Sequence, residues 1–249
     1  MTPWPAANPW SAPVLFVEST LSTMEDAQRL DEQGYPSGTV VVAGFQERGR
    51  GRLPERVWAA EPGKNLLFTL SLHLSKGFPP QRLPLLAGLA LAQAVEERFG
   101  LATLVKWPND LLYRDRKLAG VLCLARTRPP QPTRALVGMG VNCNQRYFPP
   151  ELAGKACSLA GLLDREVALP ELLADVLAAL KQALSDGDWR ARLQRRLYGV
   201  GREASIVQDL EPPLAGRMLG VAEDGALLLE SAGQIQPVYS GELFFQSQP

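Results

Sequence analysis

The sequence predicts a mixed α/β domain that extends to about residue 198, followed by a small all-β domain. Three observations support this prediction. In the first part of the chain, β-branched runs alternate with helical patterns. After Gly199, glycines break up short apolar runs, a pattern typical of a small barrel or sandwich. A length of 249 residues is enough for one large core and one small module.

The first part begins with a strand, a helix and a second strand. Residues 13–20 form an apolar, β-branched run that predicts a strand. Residues 22–34 predict a helix, because Ser22 or Thr23 can cap its first turn and a glycine can end it. Residues 38–46 predict the second strand.

A long helix and several shorter strands follow. Residues 64–74 predict a strand, and residues 80–100 predict a helix that ends at a glycine. Further strands are predicted within residues 103–108, 110–125 and 134–144, and the dipeptide Asp115-Arg116 inside the second of these ranges predicts a hairpin. The remaining predicted helices lie in residues 155–163, 169–187 and 188–199.

The composition argues against several classes of protein. Lys and Arg total 26 and Asp and Glu total 26, so the chain lacks the basic excess of most nucleic-acid-binding proteins. The longest apolar run, residues 83–95, is too short for a membrane span. Cys123, Cys143 and Cys157 lack the spacing of a zinc or disulfide framework, which predicts reduced thiols and a cytoplasmic protein. The single histidine, His73, is interpreted as a packed residue rather than a catalytic base.

The N-terminal segment is rich in proline and tryptophan. It lacks the basic and apolar regions of a signal peptide. We expect residues 1–13 to be a loose arm whose tryptophans could dock on the domain. The expected domains are then residues 14–198 and residues 199–249.

Residues 45–58 (FQERGRGRLPERVW) concentrate arginine and glycine in a chain of zero net charge. Glycine lets backbone N–H groups turn toward an anion, and arginine pairs with carboxylate or phosphate. The run follows a predicted strand, where α/β proteins often bind ligands. It is not a P-loop, because no Gly-Lys-Ser/Thr follows. On spacing alone, an anion site and a solvated loop remain equally open.

Residues 105–110 (VKWPND) combine a cation, an aromatic ring and side-chain oxygens. One interpretation is an ordinary turn between strands, since Pro, Asn and Asp are common turn residues. The other is a ligand site, in which Lys106 contacts a phosphate, Trp107 forms an apolar wall, and Asp110 binds Mg²⁺ directly or through water.

Two further motifs lie in predicted strands. Lys117 in RKLAG (residues 116–120) either extends to water or brings its charge into a cleft, and Gly120 would then mark a close backbone approach. Residues 138–144 (GMGVNCN) place two glycines in an apolar strand, which indicates a group packed tightly against the backbone.

The order of these motifs resembles that of the biotin–protein ligases. The segments STMEDA, FQERGRGR…W, EPGKNL, KWPNDLL, RKLAG and GMGVNCN occur in this order before a small β domain. The most diagnostic pair is KWPND followed seven residues later by KLAG. The resemblance spans about residues 14–245.

The resemblance implies a fold and a reaction. The fold is an α/β catalytic domain related to class II aminoacyl-tRNA synthetases, with a mixed sheet and flanking helices, plus a C-terminal SH3-like β-barrel. In the reaction, biotin and ATP first give biotinyl-5′-AMP and pyrophosphate. A lysine of a biotin carboxyl carrier protein then takes the biotin and releases AMP. ATP is implied as a substrate together with Mg²⁺, and no tightly bound metal or prosthetic group is expected.

The resemblance also implies roles for residues at matching motif positions. The expected catalytic cations are Lys117, Arg52 and Lys106. The expected biotin contacts are Ser22, Thr23, Gln46, Gly49, Arg50, Lys117, Gly120 and Gly138. The expected nucleotide contacts are Arg52, Lys106, Trp107, Asn109 and Asn142, and Asp110 is the expected Mg²⁺ ligand. The arginine- and glycine-rich segment within residues 45–58, the Arg-Gly loop, would close over the adenylate and be mobile when the site is empty. Met24 departs from the family, which more often has asparagine there.

The resemblance also bears on partners. Family members that repress transcription carry an N-terminal winged helix, and no helix-turn-helix pattern precedes residue 40. We therefore expect the short form of the ligase, with no DNA partner and no membrane partner, and a homodimer stays open. The alternative function is a lipoate–protein ligase or octanoyltransferase of the same fold, against which the Gly-Arg-Gly-Arg and KWPND motifs argue. An RNA-binding module is a further class, against which the zero net charge argues.

Overall fold

Two sheets of unequal size make up the chain. The structure, a computed structural model, describes residues 1–49, 51–52, 58–127, 132–208 and 212–245. Within these residues an eight-stranded mixed sheet is followed by a five-stranded antiparallel sheet. The predicted α/β class and the small all-β unit are therefore confirmed.

The elements have the following bounds. The large sheet contains β1 (Thr2–Pro3), β2 (Val14–Thr20), β3 (Val40–Gln46), β4 (Leu66–Leu74), β5 (Leu104–Lys106), β6 (Asp110–Tyr113), β7 (Arg116–Arg126) and β8 (Thr133–Val141). The small sheet contains β9 (Glu203–Val207), β10 (Leu214–Val221), β11 (Leu227–Ser231), β12 (Gln234–Val238) and β13 (Glu242–Phe245). The helices are α1 (Thr23–Glu32), α2 (Leu83–Phe99), α3 (Leu159–Leu163), α4 (Leu169–Ser185) and α5 (Trp189–Gln194).

The large sheet has the order β1-β2-β3-β4-β8-β7-β6-β5. Only β2 and β3 pair in parallel among the strands of this sheet that the structure describes. The central strand β4 is buried on both faces, which explains its nearly continuous apolar sequence. Helices α2 and α4 pack against each other and carry most of the helical core.

Helix α1 begins at the cap that the sequence predicts. The Ser22 side chain accepts a hydrogen bond from the Met24 backbone N–H, and Glu25 and Asp26 lie in the first turn, where the helix dipole favours negative charge. This cap places Ser22 and Thr23 directly after the end of β2.

The predicted hairpin joins β6 and β7, and its turn is Arg114–Asp115, one residue earlier than the predicted dipeptide, because Arg116 already pairs with Tyr113. Arg114 and Asp115 both have positive φ angles, of 45° and 63°, as a two-residue primed turn requires. The pairing then shifts by one residue, because Lys117 lies opposite Leu112 whereas Ala119 lies opposite Leu111. This bulge turns Lys117 onto the face of the sheet that also carries Gly120 and Asp110.

The predicted helix at residues 155–163 is shorter than expected. Only residues 159–163 are helical, because the segment before them extends alongside β7. The Lys117 N–H donates to the Lys155 carbonyl at 2.8 Å, and the Cys157 N–H donates to the Lys117 carbonyl at 3.0 Å. Long-range backbone pairing therefore replaces the first helical turn.

The last predicted helix is also shortened. Helix α5 covers Trp189–Gln194 of the predicted residues 188–199, and the chain then runs along the edge strand β5. Val105 donates to the Arg196 carbonyl, and Tyr198 donates to the Val105 carbonyl. These bonds satisfy backbone groups that would otherwise be left open at the sheet edge.

The segment predicted as a loose arm is held against the large sheet. Residues 2–3 pair with β2, and the Trp4 ring stacks on Phe16 with 6.2 Å between centroids. The Asn8 side chain donates to the Gly38 carbonyl at 2.9 Å, and the Lys181 ammonium lies 5.8 Å from the Trp10 ring centroid. The large apolar surface of the two tryptophans explains this docking.

The small sheet packs on the large unit through one continuous core. The indole N–H of Trp107 donates to the Gly225 carbonyl at 3.4 Å, and Arg52 donates to the Gly241 carbonyl at 2.9 Å. We propose that the domain boundary lies at residues 198–199, between the segment bonded to β5 and the first strand of the small sheet.

Helix length and hydropathy also bear on membrane insertion. Among the helices that the described residues form, none is long and apolar enough to cross a bilayer.

A charge cluster around the buried Asp31 joins α1 to the large sheet. Asp31 is only 8% exposed, and its carboxylate lies 2.8 Å from His73 Nε2 and 2.8 Å from Arg134 Nη1. Burial alone would raise the pKa of Asp31, but hydrogen bonds from His73 and Arg134 and their charges outweigh burial and lower it. His73 therefore has a structural partner, in line with its interpretation as a packed residue.

The lowered pKa of Asp31 predicts an acid-dependent stability. The ionised carboxylate stabilises the fold above its unfolded pKa of about 3.9, and this contribution is lost as pH falls through the lower folded pKa. Asp31→Asn should reduce the free energy of unfolding at pH 7 by about 1–3 kcal/mol and weaken its dependence on pH below about 4. Urea denaturation across this pH range measures both effects. Asp164→Asn, at an exposed site, is the control and should change stability by less than about 0.5 kcal/mol; equal losses in both variants would contradict the prediction.

Candidate active site

A cavity of about 600 Å³ lies between the large sheet, the start of α1 and strand β13 of the small sheet. Of the fourteen residues that the resemblance implicates, twelve line it. They are Ser22, Thr23, Gln46, Arg52, Lys106, Trp107, Asn109, Asp110, Lys117, Gly120, Gly138 and Asn142. The sequence motifs therefore converge on one place, although they are up to 120 residues apart (residues 22 to 142).

The other two implicated residues are not placed in the cavity lining. Gly49 is buried, and its carbonyl accepts a hydrogen bond from the Trp58 N–H at 2.9 Å, which ties the two ends of the Arg-Gly loop together. Arg50 lies outside the described residues, as do residues 53–57, so the expectation of loop closure concerns a part that the structure does not describe.

One end of the cavity carries an ordered hydrogen-bond chain. Gln46 Oε1 accepts from the Thr23 backbone N–H at 2.8 Å and from Thr23 Oγ1 at 2.9 Å. Since Thr23 has one hydroxyl hydrogen, Thr69 must donate in its 2.8 Å contact with Thr23. These bonds fix the Gln46 amide, so that its Nε2 group is left to donate to another partner.

Lys117 brings a positive charge to the same cavity. Its Nζ lies 2.6 Å from Asp110 Oδ1 and 5.5 Å from the centroid of the Trp58 ring. The buried Oδ1 atom receives no well-directed hydrogen bond from the described residues, so the contact with Lys117 is an ion pair. Lys117 therefore enters the cleft, which was one of its two interpretations.

Trp58 is a cavity residue that the sequence analysis did not single out. A Cβ atom on Gly140 would lie 2.7 Å from the Trp58 ring, and one on Gly120 would lie 2.9 Å from it. The ring is therefore pressed against the bare backbone of β7 and β8. The predicted close approach at the strand glycines is confirmed, and those glycines were the signal that a large ring packs there. The Trp58 indole N–H is buried without an acceptor among the described residues.

Met24 packs beside Gly138. A Cβ atom on Gly138 would lie 3.3 Å from both Cγ and Sδ of Met24. The residue that departs from the family pattern thus contributes an apolar, deformable thioether to the cavity wall, where asparagine would present an amide.

The two asparagines of the site bond mainly to backbone. Asn109 Nδ2 donates to the Val121 carbonyl at 2.8 Å, and the Val121 N–H donates back to the Asn109 carbonyl at 2.8 Å. The Asn142 amide donates to the Cys157 carbonyl at 3.1 Å and to the Lys117 carbonyl at 3.4 Å. Both side chains line the cavity, but their amide hydrogens hold β7 and its neighbours in place.

No nucleophilic thiol is available near the cavity. Burial raises the pKa of Cys143 to about 12 and that of Cys157 to about 11, although the charge of Arg116 partly opposes the second shift. Thiolate is therefore scarce at neutral pH. The three cysteines are free, and no group of three or more metal-binding side chains occurs among the residues that the structure describes.

Comparison with known proteins identifies the family. The model of the biotin/lipoate A/B protein ligase family matches residues 16–142, which is more than half of the chain, and the model of the biotin protein ligase C terminal domain matches residues 206–246. The chain belongs to the biotin protein ligase family. The fold and enzyme class that the motifs implied are therefore confirmed.

Relatives of this ligase family match over most of the chain. The "Bifunctional ligase/repressor BirA" of Bacillus subtilis (strain 168) is 32% identical, over 92% of this chain and 73% of its own length. The "Biotin--[acetyl-CoA-carboxylase] ligase" of Paracoccus denitrificans is 30% identical over 91% of this chain and 98% of its own length. The solved biotin protein ligase of Aquifex aeolicus, in complex with biotin and ATP, is 27% identical with a TM-score of 0.80, covering 94% of this chain and 99% of its own.

The packing of Trp58 predicts a strong effect of a small substitution. Gly140→Ala would push a methyl group into the ring and should lower the free energy of unfolding by about 1–3 kcal/mol. Gly187→Ala is the matched control, because a Cβ at Gly187 meets nothing within 4 Å. It should change stability by less than about 0.5 kcal/mol. Urea unfolding of both variants measures the difference. Similar free energies of unfolding for the two would contradict the close packing of Trp58 on Gly140.

Proposed function

We propose that this chain is an ATP-dependent biotin–protein ligase. It forms biotinyl-5′-AMP from biotin and ATP, and then transfers biotin to a lysine of a biotin carboxyl carrier protein. The observation that carries the proposal is the meeting of Lys117, the Thr23–Gln46 pair and the glycine wall in one cavity. The Aquifex aeolicus relative is solved with biotin and ATP, which supports both as substrates here.

The first step joins two anions. A carboxylate oxygen of biotin bonds to the α-phosphorus of ATP, and the bond from that phosphorus to the bridging oxygen breaks, so pyrophosphate leaves with the electron pair. Repulsion between carboxylate and triphosphate opposes this step, and fixed positive charges lower the barrier. Lys117, Lys106 and Arg52 are the proposed source of that charge. Lys117 would exchange its contact with Asp110 for the reacting carboxylate and phosphate.

The Thr23 end of the cavity suits the ureido group of biotin. Gln46 Oε1 is already engaged by Thr23, so its Nε2 is proposed to donate to the ureido carbonyl. Ser22 supplies a hydroxyl to the same end. Trp58 packed on Gly120 and Met24 packed on Gly138 are proposed as the apolar walls beside the fused rings. Ser22, Thr23 and Gln46 would therefore select biotin by hydrogen bonds that a saturated acyl chain cannot form.

The proposed nucleotide contacts are of two kinds. Arg52 and Lys106 are proposed to contact phosphate. Trp107 is 2% exposed, and Asn109 and Asn142 bond to backbone, so these three are proposed to shape the nucleotide site rather than to supply free donors.

Asp110 is the proposed ligand for Mg²⁺. Its buried Oδ1 receives no well-directed hydrogen bond within the described part of the chain, and Mg²⁺ in such enzymes binds one or two carboxylates together with substrate phosphates. The residue therefore fits the ion. When bound there, the ion would neutralise phosphate charge.

In the second step the acceptor amine attacks the carbonyl of the mixed anhydride. An amide bond forms, the bond between the acyl carbon and the phosphate oxygen breaks, and AMP leaves. The acceptor lysine is the nucleophile, which agrees with the raised pKa of the cysteine thiols. The hydrogen bond from Arg52 to Gly241 supports a role of the small unit in covering the anhydride.

Partners and location complete the proposal. The carrier protein is proposed as the acceptor because relatives are named for acetyl-CoA carboxylase. The free cysteines agree with a reducing compartment, and we propose that the reaction takes place in the cytoplasm. Homodimer formation and the absence of a DNA or membrane partner stay predictions.

Biotin-dependent exchange of pyrophosphate into ATP tests the first step. Lys117→Ala should lower the exchange rate by about 100-fold or more, because a positive charge is lost where negative charge develops. Lys76→Gln, at an exposed lysine, should keep the wild-type rate. Absence of exchange in the wild type, or exchange supported by lipoate in preference to biotin, would overturn the proposal.

The Thr23–Gln46 pair predicts a selective loss of biotin affinity. Thr23→Val removes the hydroxyl that orients Gln46, and we expect the KM for biotin to rise about tenfold while the KM for ATP stays within about twofold. Steady-state biotinylation of a carrier domain measures both constants. Thr127→Val, at an exposed site, is the matched control. An equal rise in both constants would indicate general damage and count against the assigned role.

A further inference from the structure

Met24 is the cavity residue that departs from the family pattern. It lies in the first turn of α1, directly after Thr23, and its half-buried side chain lines the cavity. Its backbone N–H donates to Ser22 Oγ at 3.3 Å, which fixes the backbone of residue 24. The thioether side chain has three rotatable bonds. Met24 therefore has a fixed backbone and a deformable side chain.

The sheet beneath Met24 explains why its side chain fits. Gly138 of β8 pairs with Thr69 of β4 on one side and with Leu122 of β7 on the other. Thr69 contacts Thr23 of α1, so this row of the sheet faces the helix. A Cβ on Gly138 would lie 3.3 Å from both Cγ and Sδ of Met24. The Met24 side chain thus occupies the space that a side chain at residue 138 would fill.

The next row of the same face carries a rigid group instead. Gly140 lies two residues further along β8, about 7 Å away, and faces the same side of the sheet. A Cβ there would lie 2.7 Å from the Trp58 ring, and one on Gly120 would lie 2.9 Å from it. The indole is planar and cannot change its shape. One apolar wall of the cavity is therefore rigid, and the other, at Met24, is deformable.

The fused rings of biotin present two different chemistries to these walls. The ureido ring is polar, and its proposed partners are Ser22, Thr23 and Gln46. The second ring contains only carbon and one sulfur, so it binds by packing rather than by strong hydrogen bonds. Since Met24 follows Thr23 directly in the chain and lines the same cavity, its thioether is positioned to contact this second ring.

The deformability of this wall determines what happens when the second ring is absent. A rigid wall cannot follow a smaller ligand, and the loss of one group from an apolar pocket then costs about 10–200-fold in kcat/KM. A methionine side chain can change rotamer and close much of the void. The asparagine that is commoner here in the family would instead present an amide that needs a hydrogen-bond partner.

We propose that Met24 extends the substrate range of the ligase to cyclic ureas that carry the acid chain of biotin but lack its sulfur-containing ring. The inference rests on the proposed function and deepens it. Such a substrate keeps the ureido ring and the carboxylate, so the same bonds form and break. A carboxylate oxygen bonds to the α-phosphorus of ATP, pyrophosphate leaves with the electron pair, and the product is the corresponding acyl-adenylate.

Desthiobiotin is the probe, because it is the cyclic urea that results when hydrogens replace the sulfur of biotin. Exchange of pyrophosphate into ATP is measured with biotin and with desthiobiotin for the wild type, Met24→Ile and Met24→Asn. The readout is the ratio of the two kcat/KM values. Both substrates are measured on one preparation, so a merely structural loss of active enzyme lowers both values and leaves their ratio unchanged.

Met218→Ile is the matched control. It makes the same chemical change in β10 of the small sheet, where Met218 is fully buried and is not among the residues that line the cavity. The substitution nearly conserves volume, and the ratio should stay at the wild-type value.

We expect the wild type to favour biotin by about tenfold, at the low end of the range for such a loss. Met24→Ile should raise the ratio by about fivefold or more, because a β-branched side chain cannot close the void. Met24→Asn should also raise it, since its amide can donate to the sulfur of biotin and is left unpaired beside desthiobiotin. The KM for ATP should stay within about twofold of the wild type in both variants.

A wild type that exchanges pyrophosphate with biotin but not with desthiobiotin would overturn the inference. So would an unchanged ratio in folded Met24→Ile and Met24→Asn. If Met24→Ile proves unstable, Met24→Leu takes its place, because leucine has a similar volume and fewer rotatable bonds. These outcomes differ from failure of the proposed function, in which the wild type itself would show no biotin-dependent exchange.

Discussion

The packing of the Trp58 ring on the bare backbone of two strands determines the shape of the candidate active-site cavity. The ring lies against Gly120 and Gly140, so it can approach the sheet more closely than any side chain would allow. Lys117 then lies above this ring, and its ammonium is held between the aromatic face and the Asp110 carboxylate. The cavity floor, the position of the cation and the register of β7 therefore depend on one another.

Hydrogen bonds to backbone keep this arrangement rigid. The Lys117 peptide is bonded to residues 155 and 157, and the Asn142 side chain joins the carbonyls of Lys117 and Cys157. On the other side, Asn109 exchanges two bonds with Val121. The proposed catalytic role of Lys117 requires a well-placed ammonium on a long flexible side chain. Fixing its backbone limits the volume that the ammonium explores.

Much of the architecture could be predicted from the sequence, because it depends on local signals. Apolar periodicity and caps gave β2 to β4 and the helices α1 and α2, and twelve of the fourteen residues that the motifs implicate line the cavity. The features that could not be predicted depend on contacts between distant segments. These are the bulge before Ala119, the pairing of residues 155–157 with β7, and the backbone bonds of Asn142. Local propensity favoured a helix at residues 155–158, and tertiary pairing overrode it.

The docked N-terminal segment has a consequence for self-association. A long strand at the edge of a sheet offers unpaired amide and carbonyl groups that can template aggregation. Here residues 2–3 cover part of β2, and residues 196–198 cover part of β5 at the opposite edge. Each outer strand of the large sheet is thus short or occupied, so edge-to-edge polymerisation would first have to displace segments that are anchored by partly buried rings. By anchoring this segment, Trp4 and Trp10 hinder pairing between the sheet edges of different molecules.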